Sequence, residues 1–276
     1  MSNEVVWSFS RVSCYDNCPR CFDLCYNQHV GKKDNAFAQW GSLIHTCMEL
    51  FFKGELDLFS LEDYYHEHYD EFVTCEFPYN KYSDLASSYY EAGEEYLGNF
   101  PGLDTERYEV LGVEQEFKMP ICGVMVRGFI DLILRDRNDG SIILVDHKSA
   151  SSLTGKKLEQ YLLQLYIYSS YIFEKYGCYP KKLVFNLFRA GKVAERDFRL
   201  DEFTRAVEWL CATTSRALTD TVFADKISID YELRFEDIDE FKRNDYYCNN
   251  ICSARAYCER SNDYEGSDED WLLIKT

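Results

Sequence analysis

Asp131, Asp146 and Lys148 are the residues of this chain whose types and surroundings most invite chemistry. Each is set within or at the end of an apolar, strand-forming run. Ile142, Ile143, Leu144 and Val145 lead straight into Asp146, while Phe129, Ile130, Leu132, Ile133 and Leu134 enclose Asp131. Charges in such a setting are costly unless paired or metal-bound. Two carboxylates suit a hard cation such as Mg²⁺ or Mn²⁺. A lysine beside them could help deprotonate an attacking water, or offset charge building on a phosphate. The competing reading is a buried Asp–Lys ion pair with a spare aspartate.

A hairpin would bring the three together. Asp139-Gly140 lies between two β-rich runs, and that dipeptide favours a two-residue turn with positive φ at both positions. With those two residues as the turn, Asn138 pairs with Ser141, Asp131 lies opposite Lys148 and Ile133 opposite Asp146. Side chains alternate along a strand and opposed residues share a face. Asp131, Asp146 and Lys148 are therefore expected on one side of one hairpin.

The flanking patterns alternate helix and strand. Ser10 can cap a helix through Cys18, and Pro19 suits the first turn of a second helix reaching about Val30. Phe37, Trp40, Leu43, Ile44, Cys47, Met48 and Phe51 have helical spacing across Phe37 to Phe52. Leu61 to Phe72, Ser83 to Phe100 and the aromatic-rich Leu158 to Tyr176 also read as helices. Tyr108 to Lys118, Val124 to Arg135 and Ser141 to Lys148 read as strands. Lys181 to Arg189 and Lys192 to Leu200 read as a hairpin around Ala190-Gly191, and Asp201 caps a helix to Thr219. This order predicts an α/β or α+β fold with a mixed sheet.

Composition narrows the class. The chain has 276 residues, 46% apolar, with 22 Tyr and 19 Phe, enough for a substantial core. No apolar run approaches the ~20 residues of a membrane span. Met1 to Trp7 lacks a basic n-region, which gives no sign of a signal peptide and makes the cytoplasm the expected location. A net charge of −18 argues against a broad basic DNA-coating surface. Acidic residues concentrate in Glu55 to Glu71, Glu91 to Glu95, Asp230 to Glu240 and Asn262 to Asp270, and read as solvated faces. Basic residues that could meet a nucleic acid are Lys156, Lys157, Lys181, Lys182, Arg189 and Lys192, with Arg11 and Arg20 at the same entrance.

The 12 cysteines are uneven: four lie between Cys14 and Cys25, and three between Cys248 and Cys258. Disulfides are a poor explanation for them in a cytosolic protein. Metal or cluster binding, or core packing, is better. Cys14, Cys18, Cys21 and Cys25 would share one face of a continuous helix, but Pro19 argues for a break, which leaves three of them as packing residues.

The ordered set of motifs resembles the PD-(D/E)xK nuclease superfamily. The set comprises Ser10-Arg11, Cys18-Pro19, Gly41-Ser42-Leu43-Ile44-His45, Gly128-Phe129-Ile130-Asp131, Asp146-His147-Lys148, Gln164-Leu165-Tyr166-Ile167-Tyr168 and the terminal cysteine triplet. More narrowly, it is similar to RecB-like exonucleases, including CRISPR-associated and helicase-linked members with an iron–sulfur cluster. The resemblance implies a restriction-endonuclease-like mixed central sheet flanked by helices, with an N-terminal helical region and a C-terminal cysteine cluster. It implies one nuclease domain over 1–276: a helical part (1–105), a core (106–200) and a terminal helix with the cysteines (201–276).

Roles follow from the same resemblance. His45, Asp131, Asp146 and the His147 carbonyl would hold Mg²⁺ or Mn²⁺, and Lys148 would be the catalytic lysine. Gln164 and Tyr168 would line the site. Glu116 would add a further acidic group, with Glu114 as its competitor. Cys248, Cys252 and Cys258, completed by Cys18, would hold a [4Fe–4S] cluster, with Zn²⁺ as the alternative. The first gap in this triplet has three residues, where the family pattern has two.

The expected activity is metal-dependent hydrolysis of phosphodiester bonds in DNA. The expected enzyme is an exonuclease acting on single-stranded or end-containing DNA in repair, recombination or phage DNA metabolism, with a helicase or recombination partner. The alternatives are a non-cleaving DNA-binding or structural module on the same fold, and a cysteine-rich zinc interaction protein.

Overall fold

The computed structural model describes residues 5–224, 245–258 and 261–262. The acidic run Asp230 to Glu240 and the tail beyond Asn262 lie outside the described residues. In chain order the elements begin with β1 (Val6–Trp7), α1 (Phe9–Asn17), α2 (Pro19–Phe22), a π-helical turn (Asp23–Asn27), α3 (Ala36–Lys53), α4 (Leu61–Phe72) and α5 (Leu85–Gly98). There follow β2 (Tyr108–Ile121), β3 (Val124–Asp136), β4 (Ile142–Lys148) and α6 (Gly155–Tyr176). The chain continues through β5 (Lys182–Leu187), a 3₁₀ turn (Phe188–Ala190), β6 (Lys192–Asp197), α7 (Leu200–Ala224) and α8 (Asp245–Asn250). Two compact units result: Met1–Trp7 with Ala36–Trp209, and Ser8–Asn35 with Leu210–Thr276.

The first unit holds the mixed six-stranded sheet. β2 pairs antiparallel along the whole of β3. The opposite edge of β3 takes β1 in parallel near Met125 and Val126, and β4 antiparallel from Leu132 to Arg135. β5 lies parallel to β4, reached through the α6 crossover, and β6 pairs antiparallel to β5. Ile142 to Val145 are all buried, as expected of a strand covered on both faces. A second apolar cluster joins Trp40, Leu43, Ile44, Cys47 and Met48 of α3 to Leu61 and Tyr65 of α4 and Tyr89, Tyr96 and Leu97 of α5. Trp40 donates its indole N–H to the Tyr65 hydroxyl at 3.1 Å, so that buried polar tip is satisfied.

The second unit brings together residues far apart in sequence. Lys33 N donates to Ser253 O at 2.9 Å, and Asn35 Nδ2 donates to Ile251 O at 3.3 Å. Leu24, Cys25, Val30, Cys252 and Ala254 form its small core. Its first helix is capped two residues before the expected Ser10: Ser8 accepts from Arg11 N. Pro19 opens α2 as expected, but that helix passes into a π-helical turn at Asp23. Asp23, buried there, accepts from Asn27 and Gln28 side chains.

The β3–β4 turn differs from the two-residue expectation. Asp136 N donates to Ser141 O at 2.9 Å, which closes a four-residue loop, and only Gly140 in that loop has positive φ, at 73°. Asp136 is also the loop's anchor, accepting from Asn138 N. The strand β1, too short for a periodic signal, is the element that sequence reasoning missed.

Among the described residues, no helix is long and apolar enough to cross a membrane. Cys122 and Cys211 are disulfide-bonded, so the expectation against disulfides fails at those two positions.

Candidate active site

The site forms where the β4 ladder divides. β4 stays paired with β5 through Lys148, but its pairing with β3 stops at Val145. The backbone N–H of His147 would be orphaned there. Asp131 takes it instead, accepting from His147 N at 2.6 Å through Oδ2. One carboxylate thus replaces a ladder bond and is fixed in place. The carboxyl end of a parallel strand before a crossover helix is also where open α/β sheets present their ligand crevices.

Four elements line a cleft of about 330 Å³. β3 gives Asp131; β4 gives Asp146, His147 and Lys148; α3 gives Gly41, Ser42 and His45; α6 gives Gln164. Phe188, buried, closes one wall, its ring 5.8 Å from the His45 ring. The expected trio therefore converges.

The side chains form a continuous polar path. Lys148 Nζ lies 2.8 Å from Asp146 Oδ2 and donates to Asp146 Oδ1 at 3.0 Å. It also donates to Gln164 Oε1 at 3.0 Å, and Gln164 Nε2 donates to the Tyr168 hydroxyl at 3.2 Å. The Tyr161 ring lies 4.8 Å from the same ammonium. Gln164 thus touches the lysine, and Tyr168, one helical turn on, is joined to it through Gln164.

His45 sits at the other end. Its Nε2 is 3.1 Å from the His147 carbonyl oxygen; its Nδ1 is 3.8 Å from Asp131 Oδ2 and 3.9 Å from Glu114 Oε1. His45, Glu114 and Asp131 converge closely enough for one cation. Of the two glutamates, Glu114 lies beside His45 and Asp131, whereas Glu116 pairs with Arg127 at 2.6 Å on the surface. The pairs Val113↔Leu132 and Gln115↔Ile130 bracket Glu114 and Asp131, which places those two opposite one another. Glu114 has φ 46°, a left-handed kink in β2 that periodicity could not have revealed.

Burial sets the electrostatics. Desolvation, reinforced by Asp146, pushes the Asp131 carboxyl up to about 7. Burial alone would lower Lys148, but Asp146 and Asp131 outweigh it and hold the ammonium. His45 is likewise lowered by burial and raised more strongly by Glu114, Asp131 and Asp146. His147 is different. Burial drives its imidazole down to about 3, so the ring is neutral, stacked on Phe52, with Nδ1 2.9 Å from Asn186 Nδ2. Only its carbonyl belongs to the cleft.

A divalent cation fits this donor set. Asp131 and the buried Asp146 adjoin, an imidazole and a second carboxylate lie beside them, and Asp146 Oδ2 is buried without a hydrogen bond, its lysine contact being ionic. These oxygen and imidazole donors suit Mg²⁺ or Mn²⁺.

The remaining expected residues are placed as follows. Lys157 shares the Tyr161 ring with Lys148, and Arg189 lies 4.1 Å from the Tyr89 ring. Lys181 and Lys182 are engaged with Asp139 and Glu195. Arg11 and Arg20 lie in the second unit, Arg11 against the Tyr26 ring and Arg20 with Asp23. In that unit Cys252 Sγ is 3.7 Å from Cys21 Sγ, and Cys18 accepts from Cys21 N at 3.4 Å. Burial raises the Cys18 thiol, with Cys252 and Cys14 adding to it. Cys258 packs against the same small core, and Cys248 is half-buried in α8. Cys21, read from sequence as packing, thus brings its thiol beside Cys252.

No curated protein matches the sequence. The crystal structure of SSO0001 is similar, at 16% identity over 94% of this chain and 89% of that one, with a TM-score of 0.35. A model of the PD-(D/E)XK nuclease superfamily, whose members use divalent metals, matches residues 6–259. The mixed sheet flanked by helices is the restriction-endonuclease-like architecture expected of that group, and the chain belongs to the PD-(D/E)XK nuclease superfamily.

Proposed function

We propose that the protein is a DNA nuclease that hydrolyses phosphodiester bonds in a RecB-like, exonucleolytic manner on single-stranded or end-containing DNA. The observation that carries this is the meeting of Asp131, Asp146 and Lys148 with His45 in one cleft. Mg²⁺ or Mn²⁺, held by His45, Asp131, Asp146 and the His147 carbonyl with Glu114 adjoining, would supply Lewis-acid charge to the phosphate. Asp131 keeps the end of β4 in place through the His147 N–H. Lys148 brings its ammonium to the phosphate as negative charge accumulates. Gln164, itself held by Tyr168, fixes the lysine's direction. Lys157 and Arg189 offer backbone phosphates a second hold.

The thiols support a further part of the reading. Cys18, Cys248, Cys252 and Cys258 are proposed as [4Fe–4S] ligands, with Zn²⁺ as the alternative. The soft donors drawn together around Cys252 suit either. Recombination or repair, alongside a helicase-type partner, is the setting this activity fits.

The test uses purified protein with end-labelled DNA, single- and double-stranded, linear and circular, with Mg²⁺ or Mn²⁺. Cleavage of linear DNA is expected. Lys148→Ala and Asp146→Ala should each lower it by roughly a thousandfold or more while the fold survives. Full activity in either variant would sink the site. Cutting of circular DNA would replace the exonuclease reading with an endonuclease. DNA binding without cutting on every substrate would favour a non-cleaving module. Absorbance near ~400 nm in the isolated protein would support the iron–sulfur cluster; a colourless protein containing zinc would replace it.

A further inference from the structure

A second group of metal-ligating side chains lies apart from the cleft, on α4 and α5. Glu62 and His66 are four residues apart and share one face of α4. Glu94 comes from α5. His66 Nε2 is 3.8 Å from Glu62 Oε1 and 3.5 Å from Glu94 Oε1. Their three ligand atoms lie within 4.8 Å of one another, close enough to surround one ion.

The group is positioned rather than loose. His66 Nδ1 lies 2.6 Å from the Tyr90 hydroxyl, which fixes the ring and turns Nε2 toward the two carboxylates. A partner on the far ring nitrogen is the usual arrangement for a metal-ligating histidine. Tyr90 is itself one helical turn before Glu94, and its backbone carbonyl accepts from the buried Tyr65 hydroxyl at 3.0 Å, which ties α5 to α4. On the other side, Glu62 packs against Gly98: a Cβ there would lie 2.8 Å from Glu62 Oε2. The three side chains are 45%, 33% and 43% exposed for Glu62, His66 and Glu94, so an ion could enter and keep water ligands.

We infer that Glu62, His66 and Glu94 form a second divalent metal site, of the Zn²⁺ class, joining α4 to α5. One imidazole and two carboxylates make a borderline donor set, softer than an all-oxygen Mg²⁺ site and without the thiolates of a closed structural zinc site. Three protein ligands leave one or more positions to water. The chain's charge of −18 raises the local concentration of cations at such a surface. This inference is independent of the nuclease reading, because none of the three residues lines the cleft.

The test counts bound zinc. Wild type, His66→Gln, Glu62→Gln and Glu94→Gln are dialysed against the same buffered free Zn²⁺, and bound metal is measured by mass spectrometry. Thiols and the cleft also bind zinc, so the difference between proteins is the readout. Each variant is expected to hold one equivalent less than wild type. Each should also lose the part of the zinc-induced rise in Tm that wild type shows beyond it, while Mg²⁺-dependent cleavage is unchanged. Circular dichroism without zinc checks that the variants fold; Glu94→Gln keeps the side chain's shape and serves if another does not. Equal zinc content in all four proteins would overturn the inference and leave an ion-paired histidine. Loss in His66→Gln alone would overturn the three-residue site.

Discussion

Asp131 joins a role in the fold to the chemistry proposed for the cleft. It replaces the missing ladder bond at His147 N, yet it is buried beside Asp146 and near His45. An acid whose folded pKa is raised binds its proton more tightly when folded. Its contribution to stability is therefore full below about 4 and lost as pH rises through about 7. In metal-free protein this gives a prediction. Unfolding free energies of wild type and Asp131→Asn, measured in chelator, should diverge by roughly 1–3 kcal/mol between pH 4 and pH 8, in favour of the variant at the higher pH. Saturating Mn²⁺ should narrow that gap, since the ion neutralises the ionised pair. A gap that stays flat with pH would show that Asp131 is not strained by its burial. Apolar neighbours made Asp131 legible as an expensive charge. His147 was legible only as a carbonyl donor. Alternation turns its ring away from Asp146 and Lys148, onto Phe52 and Asn186, contacts made by distant segments that no local pattern encodes.

At the scale of elements, the β3–β4 hairpin was read with the correct face and the wrong register. The expected pairing set Asp131 against Lys148. The observed pairs Leu132↔Val145 and Ile133↔Leu144 shift it by two residues, which points Asp131 toward Asp146 instead. A slip of two preserves parity, so every side chain keeps its face. The sharing of a face, which the chemistry needs, therefore survived the error in the turn. That error arose because the Asp136 side chain accepts from Asn138 N two residues on, a local Asx-type contact that favours a longer loop than the Asp-Gly signal reports. Gly128, three residues before Asp131, carries an element-scale prediction. A Cβ there would lie 2.6 Å from the Phe117 ring and 2.9 Å from the Tyr168 ring. The strand needs glycine so that α6 can approach with Tyr168, which holds Gln164. Gly128→Ala should cost about 1–3 kcal/mol by overpacking and lower cleavage through Tyr168 and Gln164, whereas Gly123→Ala should not lower cleavage, because a Cβ at that turn meets nothing within 4 Å. Chemical denaturation and rates at saturating DNA would check both; equal activity in the two variants would refute the link from strand to lysine.

At the scale of the molecule, a charge of −18 must be reconciled with a polyanionic substrate. The joining of residues 8–35 to 245–262 in one unit was foreshadowed by cysteines near both chain ends, though the particular neighbour, Cys21, was not. The distribution of positive charge was harder to read, because a lysine in a sequence does not show its partner. Lys181 and Lys182 turn out to be spent on Asp139 and Glu195, while Lys157 lies over the Tyr161 ring that Lys148 also faces, and Arg189 lies over the Tyr89 ring. A grip confined to Lys148, Lys157 and Arg189 would neutralise about two to three phosphates. Since the slope of log affinity against log salt is about −0.7 to −0.9 per phosphate neutralised, DNA affinity should fall with a slope between about −1.4 and −2.7. The measurement is the KM for linear DNA between low and moderate KCl at fixed Mg²⁺. Lys157→Ala and Arg189→Ala should each flatten the slope by about one, leaving kcat within a few-fold, because neither side chain lines the cleft. A slope steeper than about −5 would require a wide basic face and would refute a cleft-confined grip on DNA. Such a slope, unaltered in both variants, would assign the phosphate contacts to residues other than the rim of this cleft.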